Sequence, residues 1–470
     1  MRYDCSTLTP PTNRRRRLVF VAAAVIAAAC HRGAAHRDIF LISVDTLRPD
    51  HLGMYGYGRP TSPHLDERFR HGIVFERAYT TEASTSPSVA TILTGLLPQQ
   101  HRVRLFYQLL GSDVPTIADL LPEDYQTAAF VSNMVLTDEA IGLASRFDYY
   151  DDYVARKEPL REKWERSARD TTNAVLAWLA TSSDNARPLF LWVHYMDPHG
   201  PYSPPDHWKR SFTHEGTRPI DPEQVPVYHR LPGVSDAMVY MDAYDEEIAY
   251  ADSEIGRLLD GIDKRRGLQD ALVLFTADHG ESMVEHERAF MHGYHVYDEI
   301  ARVPLALLAP DAKPQRRSEL VSLLDIAPTI LRFAGVTPPA SMNGADLLAS
   351  SIPSGRTVFT EATAQFAASL QRRSAVRGYG KWVAEINAKT RKVEKSYYYD
   401  LRTDPLELVR RPWPREGTAG RELLRLIQED PDRGGVPEQY AKGIELKAPK
   451  VAPGVSPQVL ERLRALGYVR

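Results

Sequence analysis

The sequence predicts an α/β fold in which helices cover both faces of a mostly parallel central sheet. Buried strands are indicated by short apolar runs that end in polar residues: "RDIFLISVD" (37–45), "TAAFVSN" (127–133), "PLFLWVHYMD" (188–197) and "ALVLFTADHG" (271–280). Helical patterns separate these runs, as in "TTNAVLAWLAT" (171–181) and "EEIAYADSEIGRLLDGI" (246–262). Strands that alternate with helices favour a parallel sheet, because parallel neighbours need a crossover connection.

The strand ends carry the polar residues of interest. Binding and catalytic sites in open α/β sheets form beyond the carboxyl ends of the strands. Asp45, His199 and Asp278 each follow one of the predicted strands. We therefore expect three distant segments of the chain to converge at one edge of the sheet.

The residue composition and pattern of the sequence change after about residue 350. The stretch "GYGKWVAEINAKTRKVEKSYYYDL" (378–401) is basic and rich in tyrosine, and it favours a pair of antiparallel hairpins. This predicts a catalytic domain over residues 37–350 and a smaller antiparallel-sheet subdomain over residues 351–470. Residues 405–455 are charged and rich in proline, which favours a surface-wrapping or partly disordered segment. "SPQVLERLRALGYV" (456–469) is typical of a capped amphipathic helix.

The N-terminus is typical of an export signal. "NRRRRLVFVAAAVIAAAC" (13–30) places four arginines before a short apolar run that ends at Cys30. Twelve apolar residues are too few to span a bilayer, whereas this order of segments is that of a secretory signal peptide. The cysteine after three alanines resembles a bacterial lipobox, so residues 1–29 are predicted to be removed and Cys30 to be lipidated. The alternative is a buried N-terminal helix with an incidental cysteine.

Composition and cysteine content limit which classes of partner we expect. With 43% apolar and 25% charged residues and a net charge of −3, the chain gives no reason to expect nucleic acid as a partner. The only other cysteine, Cys5, lies inside the predicted signal, so the mature chain would hold no disulfide. We expect an exported protein, periplasmic or at the cell surface, that reaches the membrane through its lipid anchor alone.

The stretch "TEASTSPSVATILTG" (81–95) reads as a polar loop that enters an apolar helix. Hydroxyl residues and proline are the residues expected at an ordinary helix start. The same arrangement also suits an anion site with a nucleophile in the first helical turn, because helix N-termini carry free N–H groups. This stretch alone does not decide between the two interpretations.

Two acids and a histidine after predicted strands suit one cation. "FTADHGE" (275–281) places Asp278, His279 and Glu281 after a buried strand, and Asp45 follows another. Carboxylates and imidazole are common ligands of divalent cations. Taken singly, these residues are also what a surface turn or a strand stop would hold.

Further histidines cluster in two loops. "HYMDPHGPYSPP" (194–205) supplies His194, Asp197 and His199 in what we interpret as a proline-rich loop. "EHERAFMHGYHVYDE" (285–299) adds His286, His292 and His295, so that four of the fifteen histidines lie between residues 279 and 296. This density exceeds what filling a core requires.

Taken together, these motifs resemble the sulfatase family of the alkaline phosphatase superfamily. The resemblance runs from about residue 37 to the end. The motifs that carry it, in family order, are "VDTLRPDHLGMYGY" (44–57), "PSVATILTGLLPQQH" (87–101), "VHYMDPHGPYSPP" (193–205), "FTADHGE" (275–281), "EHERAFMHG" (285–293), "YDEIARVPL" (297–305), "LLDIAPTILRFAGV" (323–336), "YYYDLRTDPLE" (397–407) and "LRALGYV" (463–469). The resemblance implies an alkaline-phosphatase-like α/β sandwich with a C-terminal antiparallel-sheet subdomain.

The resemblance also implies roles for individual residues. The family nucleophile stands two residues before the proline of a Cys-or-Ser, any, Pro, Ser, Arg pattern, and here that position holds Thr85. Asp45, Asp278 and His279 match the family's metal ligands. With Thr85 they would hold one divalent cation, expected to be Ca²⁺, Mg²⁺ or Mn²⁺ because the ligands are rich in oxygen.

Several positions depart from the family pattern. The family's cysteine or serine is oxidised to formylglycine, which is not possible at Thr85. Val89 replaces a supporting arginine, and Thr46 replaces a second acid beside Asp45. Asn133 and Val135 stand where many sulfatases have an anion-binding lysine and a histidine. A further family lysine is missing, and His292 lies near enough to its position to take its anion-binding role.

The departures bear on the chemistry. A hydrated formylglycine releases sulfate by elimination, an exit that a threonine sulfate lacks, whereas a threonine phosphate can be attacked by water at phosphorus. The leading hypothesis is a metal-dependent hydrolase of sulfate or phosphate esters with small-molecule, glycan or lipid-linked substrates. Thr85 is the nucleophile, His199 the general acid, and Asn133, His199 and His292 bind the substrate.

Three alternatives remain open. One is a phosphodiesterase or a transferase that passes a phospho-group to an envelope component. The second is a non-catalytic surface protein that kept the fold. The third concerns the metal, because Asp197, His199 and His292 could hold a second ion.

Overall fold

The computed structural model of the protein describes residues 37–430, except 155–165, 287–288, 364–369, 389, 391 and 415–416. The predicted signal peptide, Cys30 and the predicted C-terminal helix lie outside these residues. None of the helices in the described part of the chain combines the length and the apolar character that crossing a bilayer requires.

A nine-stranded, mostly parallel sheet forms the centre of the molecule, as the sequence predicts. Its strands, in chain order, are β1 (Ile39–Val44), β2 (Ile73–Tyr79), β3 (Gln126–Val131), β4 (Tyr149–Asp151), β5 (Leu189–Tyr195), β6 (Leu272–Ala277), β7 (Arg302–Val303), β8 (Leu305–Leu308) and β9 (Gln315–Ser322). The spatial order is β4-β3-β5-β1-β6-β8-β2-β7, and β9 pairs with β2. The block from β4 to β6 is parallel, and β8 joins it in the antiparallel sense.

Helices pack against this sheet, and apolar side chains of the strands and the helices form one continuous core. The helices are α1 (Pro63–Phe69), α2 (Thr85–Thr94), α3 (Pro98–His101), α4 (Ile117–Leu120), α5 (Asp138–Ile141), α6 (Ala168–Thr181), α7 (Ala237–Arg266), α8 (Asp298–Ala301), α9 (Ile326–Phe333) and α10 (Thr418–Glu429). The central strands β1, β5 and β6 are buried along their whole length. They therefore read as unbroken apolar runs rather than as alternating patterns.

The C-terminal part forms a separate antiparallel sheet, as predicted. Its strands are β10 (Val358–Ala362), β11 (Leu370–Arg377), β12 (Gly380–Asn387) and β13 (Val393–Asp400), in that spatial order. The predicted boundary near residue 350 falls in the connection between α9 and β10, and the division into two domains stays a prediction.

Helix α10 lies inside residues 405–455, for which we expected a surface-wrapping or partly disordered segment. Its Leu423 and Ile427 pack against Trp382 and Ile386 of the second sheet. The charged residues of "TAGRELLRLIQE" cover its outer face, so that the buried stripe is narrow and the proline-rich neighbours obscure it in the sequence.

The two sheets are joined next to the start of α2. Ala83 donates its backbone N–H to the Glu361 carbonyl at 3.0 Å, and Glu361 donates to the Thr81 carbonyl at 2.9 Å. The second sheet thus fixes the polar segment that leads into Thr85.

Candidate active site

Three strand ends converge as the sequence predicts. Strand β1 lies between β5 and β6, and Val44 is in register with Tyr195 on one side and Ala277 on the other. Asp45 and Asp278 follow directly, with Asp278 donating its backbone N–H to the Val44 carbonyl at 3.2 Å. The two acids are therefore neighbours at the carboxyl edge of the sheet.

The two carboxyl groups are buried, and each has an oxygen to spare. Asp45 Oδ2 accepts from the Asn133 amide, and Asp278 Oδ1 accepts from the backbone of Thr46 at 3.2 Å and of His279 at 2.7 Å. Among the described residues, Asp45 Oδ1 and Asp278 Oδ2 have no hydrogen-bond donor. Buried polar atoms without partners are rare in native proteins, so the spare oxygens fit a cation between the two acids.

The charges of the two acids support the same conclusion. Burial, and then the charge of Asp45, raise the pKa of Asp278 well above its ordinary value. Burial also tends to raise the pKa of Asp45, but the surrounding imidazoles, led by His194, hold that pKa below its usual range. Two adjacent buried carboxyl groups are thus poorly able to ionise together, and a divalent cation would allow both to do so.

His279 presents one ring nitrogen to this pair. Its Nδ1–H donates to the Gly280 carbonyl at 2.9 Å, which directs Nε2 to the acids. Nε2 lies 3.8 Å from Asp45 Oδ1 and 3.6 Å from Asp278 Oδ2. Burial, and then the charge of His292, lower the pKa of His279 to about 3. A neutral imidazole is the form that binds a metal ion, so the residue fits its predicted role.

His194 lies in the site, and our placement of it was wrong. We expected a loop residue, but His194 lies within β5 and is fully buried. Its Nε2 is 3.8 Å from Asp45 Oδ2. Asp45, His194 and Asp278 each offer a ligand atom, and these atoms lie within 4.8 Å of one another. It is the one such group of three among the described residues. The alternative of a second ion held by Asp197, His199 and His292 stays a prediction.

Thr85 stands at the N-terminus of α2, facing the same residues. Its Oγ1 lies 3.5 Å from Asp45 Oδ2 and 3.4 Å from His279 Nε2. The side chain is almost fully buried, and its hydroxyl faces Asp45 and His279.

The serines beside Thr85 do not serve as we expected. Ser84 occupies the N-cap position of α2, but its side chain makes no capping hydrogen bond, and Ser86 donates its hydroxyl to the Val135 carbonyl at 3.1 Å. Hydroxyl residues are those expected to cap an ordinary helix start, but these two serines do not cap the helix with their side chains. A helix start without a side-chain cap leaves its N–H groups available to an anion.

The positions that depart from the family pattern border the site. The Asn133 side-chain NH₂ group donates to Asp45 Oδ2, and its Oδ1 accepts from the Val135 backbone N–H at 3.0 Å. Both the nitrogen and the oxygen of the amide are therefore hydrogen-bonded within the site. Val89 is buried in α2, and Thr46 has a positive φ of 52° that turns its backbone N–H onto Asp278. Substrate binding by Asn133 stays a prediction.

A row of imidazoles continues from the cation pair. The ring of His292 lies 4.5 Å from that of His279 and 5.3 Å from that of His199. Burial alone would lower the pKa of His292, but Glu281, whose Oε1 lies 3.3 Å from Nδ1, raises it above the ordinary value. Glu281 thus favours the charged form of the His292 imidazole, and anion binding by His292 stays a prediction.

The other two histidines of the second cluster have different partners. His286 pairs with Glu299 at 2.8 Å and stacks on the Tyr297 ring with centroids 3.6 Å apart. The ring of His295 lies 5.2 Å from the same tyrosine. Both belong to the contact with α8 and the second sheet rather than to the cation pair.

His229 is a residue that sequence reasoning missed. It belongs to a short 3-10 helix, Val227–His229, and its Nδ1–H donates to the Phe290 carbonyl at 2.7 Å. Its ring lies 5.2 Å from the His199 ring. His199 itself donates Nδ1–H to the Gly200 carbonyl at 2.8 Å, and its role as general acid stays a prediction.

Comparison with known proteins agrees with this geometry. Residues 37–336 match the family model of the sulfatases, and residues 286–411 match the model described as N-sulphoglucosamine sulphohydrolase, C-terminal. The chain belongs to the sulfatase family. That family consists of sulfuric ester hydrolases whose members generally bind a divalent metal.

Individual relatives are distant. The choline-sulfatase of Rhizobium meliloti is 26% identical over 436 residues, which cover 79% of this chain and 81% of that protein. Mouse iduronate 2-sulfatase is 24% identical over 336 residues, covering 58% of this chain and 59% of that protein.

Solved structures share the fold. A protein in complex with its substrate D-glucosamine-2-N,6-O-disulfate aligns with a TM-score of 0.66 at 19% identity, covering 85% of this chain and 98% of that one. The phosphonate monoester hydrolase of Agrobacterium radiobacter aligns with a TM-score of 0.65 at 20% identity, covering 80% of this chain and 91% of that one.

Proposed function

We propose that the protein is an exported, metal-dependent hydrolase of phosphate or sulfate esters that uses Thr85 as its nucleophile. The observation that carries the proposal is the position of Thr85 Oγ1 at a helix start, 3.5 Å from Asp45 and 3.4 Å from His279. A hydroxyl held against buried acids and open N–H groups suits nucleophilic attack on an anionic ester.

One divalent cation completes the site in this proposal, and Ca²⁺, Mg²⁺ and Mn²⁺ are the ions that the acids alone would suggest. The residues that would hold it are Asp45, Asp278, His279 and Thr85. Such an ion lowers the pKa of a coordinated hydroxyl and neutralises charge that develops on the ester.

The reaction follows as a double displacement. Thr85 gives its proton to solvent, and its oxygen forms a bond to phosphorus while the bond to the ester oxygen breaks. His199 donates a proton from Nε2 to the departing alcohol, and general acids of this kind contribute about a hundredfold to ten-thousandfold. Water then attacks phosphorus, which releases phosphate and restores the hydroxyl of Thr85.

The charged neighbours hold the ester during these steps. The first turn of α2 offers backbone N–H groups, and His292, whose pKa Glu281 raises, lies with its ring 4.5 Å from that of His279. Together they would bind the non-bridging oxygens, in place of the anion-binding lysines of formylglycine sulfatases. Asn133 keeps Asp45 in position from the other side.

Thr85 favours phosphate esters over sulfate esters within this proposal. A threonine sulfate has no elimination route, whereas phosphorus in a threonine phosphate is open to attack by water. The sulfate esters named for the choline, iduronate and other relatives keep sulfate esters in the substrate class. Alcohols of small molecules, glycans or lipids are the expected leaving groups.

A substrate screen on the purified protein tests the proposal. Sulfate monoesters, phosphate monoesters and phosphodiesters should be offered with and without added divalent cations, and Asp278→Ala serves as the matched inactive variant. We expect turnover of at least one ester class that requires both the cation and Asp278. An absence of turnover of every class by the metal-loaded protein would refute the proposal and favour a non-catalytic role. An added alcohol acceptor in the same assay separates transfer from hydrolysis.

A further inference from the structure

His194 is placed in the cation site without a role that the sequence motifs explain. It is the register partner of Ser43 in the neighbouring strand β1, two residues before Asp45. Its side chain is completely buried, and Nε2 has no hydrogen-bond partner among the described residues. A buried nitrogen left without any partner destabilises the fold, so Nε2 is expected to contact a group other than the described residues.

A hydrogen bond with Asp45 does not satisfy Nε2 of His194. The separation of 3.8 Å between Nε2 and Asp45 Oδ2 exceeds hydrogen-bond length. Asp45 Oδ2 already accepts from the Asn133 amide and lies 3.5 Å from the Thr85 hydroxyl. The carboxylate oxygen is thus engaged with other residues, and Nε2 of His194 lies near it without a hydrogen bond to it.

The separation is that of two ligands of one ion. Ligand atoms about 2.0–2.2 Å from a metal ion lie roughly 3–4 Å from one another in tetrahedral or octahedral arrangements. The 3.8 Å from His194 to Asp45, and the 3.8 Å and 3.6 Å from His279 to the two acids, all fall in that interval. Both imidazoles therefore lie at the separation expected between two ligands from the Asp45 carboxylate, His194 from Oδ2 and His279 from Oδ1. The His194 and Asp278 ligand atoms lie within 4.8 Å of one another.

The far side of the His194 ring is prepared for this role. Nδ1 lies 2.9 Å from Ser43 Oγ, which also accepts from the Trp192 indole N–H at 2.9 Å. The two lone pairs of the serine oxygen can receive both donors. With Nδ1–H donating to Ser43, Nε2 carries the lone pair, and this kind of support behind a histidine is typical of metal ligands.

We propose that His194 is a direct ligand of the divalent cation, and that this second imidazole makes the site favour a transition-metal ion such as Zn²⁺ over Ca²⁺. This inference rests on the proposed function, which requires a cation at this site, and it specifies the class of metal ion that the site prefers. Imidazole suits zinc and its neighbours, whereas calcium prefers oxygen ligands. Thr46 supplies no acid beside Asp45, and His194 provides the missing ligand from the next strand.

Metal binding by variants of the full-length protein tests this without any activity assay. Apoprotein of the wild type, His194→Phe and His194→Gln should be titrated with Zn²⁺ and with Ca²⁺ by calorimetry with a competing chelator. X-ray absorption of the zinc-loaded proteins counts the imidazoles on the metal. His101→Gln is the matched control, because His101 is an equally buried histidine that bonds Thr91 away from the acids.

We expect the zinc Kd to rise at least tenfold in both His194 variants, with the calcium Kd changed by less than about threefold. X-ray absorption should show two imidazoles in the wild type and one in the variants, while His101→Gln matches the wild type. If His194→Phe does not fold, His194→Gln, which keeps a polar side chain beside Ser43, decides the question.

Three results would overturn the proposal, and their consequences differ. Zinc affinity within twofold of the wild type in a folded His194 variant, or a single imidazole in the wild type, would exclude His194 as a ligand and leave the proposed hydrolase intact. A wild-type protein that binds neither ion would overturn the metal-dependent function together with this inference.

Discussion

Gly200→Ala should disturb the general acid through the ring packed against it. A Cβ at Gly200 would lie 2.4 Å from His229 Cδ2, 2.7 Å from Nε2 and 2.8 Å from Cγ, well inside the ordinary contact range of 3.4–4 Å. The His229 ring is fully buried and tied to the Phe290 carbonyl at 2.7 Å. The ring or the turn that carries His199 must therefore shift by about 1 Å to remove the overlap.

The expected effect is larger on catalysis than on stability. A displacement of about 1 Å in a positioning group can reduce a rate about a hundredfold, whereas overpacking in a core costs about 1–3 kcal/mol. We expect kcat/KM for the best ester of the screen to fall by about that factor, and the Tm to fall by a few degrees. Gly58→Ala is the control, since a Cβ there meets no atom within 4 Å.

A double-mutant cycle isolates the cause. His229→Ala removes the atoms that the new methyl group meets, so the double variant Gly200→Ala/His229→Ala should be no slower than His229→Ala alone. If Gly200→Ala keeps full activity, or if the double variant shows the two losses added together, the ring of His229 is not what holds His199 in place.

Three further predictions concern stability and anchoring. Burial, and then the charge of Arg104, lower the pKa of His101 to about 3. The contribution of neutral His101 to the free energy of unfolding is complete above pH 6.5 and is lost as the pH falls towards 3, because the histidine of the unfolded chain binds a proton first. Between pH 7.5 and 5.5, the free energy of unfolding of His101→Gln should therefore fall by about 1.4 kcal/mol less than that of the wild type, and equal pH dependence in urea titrations would exclude this explanation. Asp430→Ala should lower the free energy of unfolding by about 3 kcal/mol, because Arg104 and Arg373 lose a buried partner; an unchanged Tm would show that these charges find other partners. Cys30→Ser should abolish fatty-acid labelling and release the protein from membranes, whereas retained labelling would contradict the lipobox.

The sequence predicted the fold and the centre of the site for a clear reason. Asp45 and Asp278 follow apolar runs, and parallel strands bring such ends to one edge. Neighbouring strands are enough to fix the position of these acids, so no knowledge of distant packing is needed. The register of Thr85 with Pro87 likewise follows from local order along one helix.

The errors arose where the answer depends on packing across the chain. His194 was assigned to a loop because β5 is buried on both faces and shows no alternation that would mark where the strand ends. His229 lies in an unpatterned segment, and only tertiary structure brings it to His199. Ser86 bonds the Val135 carbonyl rather than its own helix, a choice that the local sequence does not encode.

Rapid quench with a labelled substrate tests the central claim most directly. The wild type should form a transient covalent adduct on Thr85, identified by peptide mapping, at a rate at least equal to kcat. Thr85→Ala should form no adduct and show no turnover at a nearly unchanged Tm, because the hydroxyl contacts of 3.4 and 3.5 Å contribute little to stability. Thr85→Ser should keep substantial activity. Label on Ser84 or Ser86, or full activity in Thr85→Ala, would contradict the account and reduce residues 81–95 to an ordinary helix start.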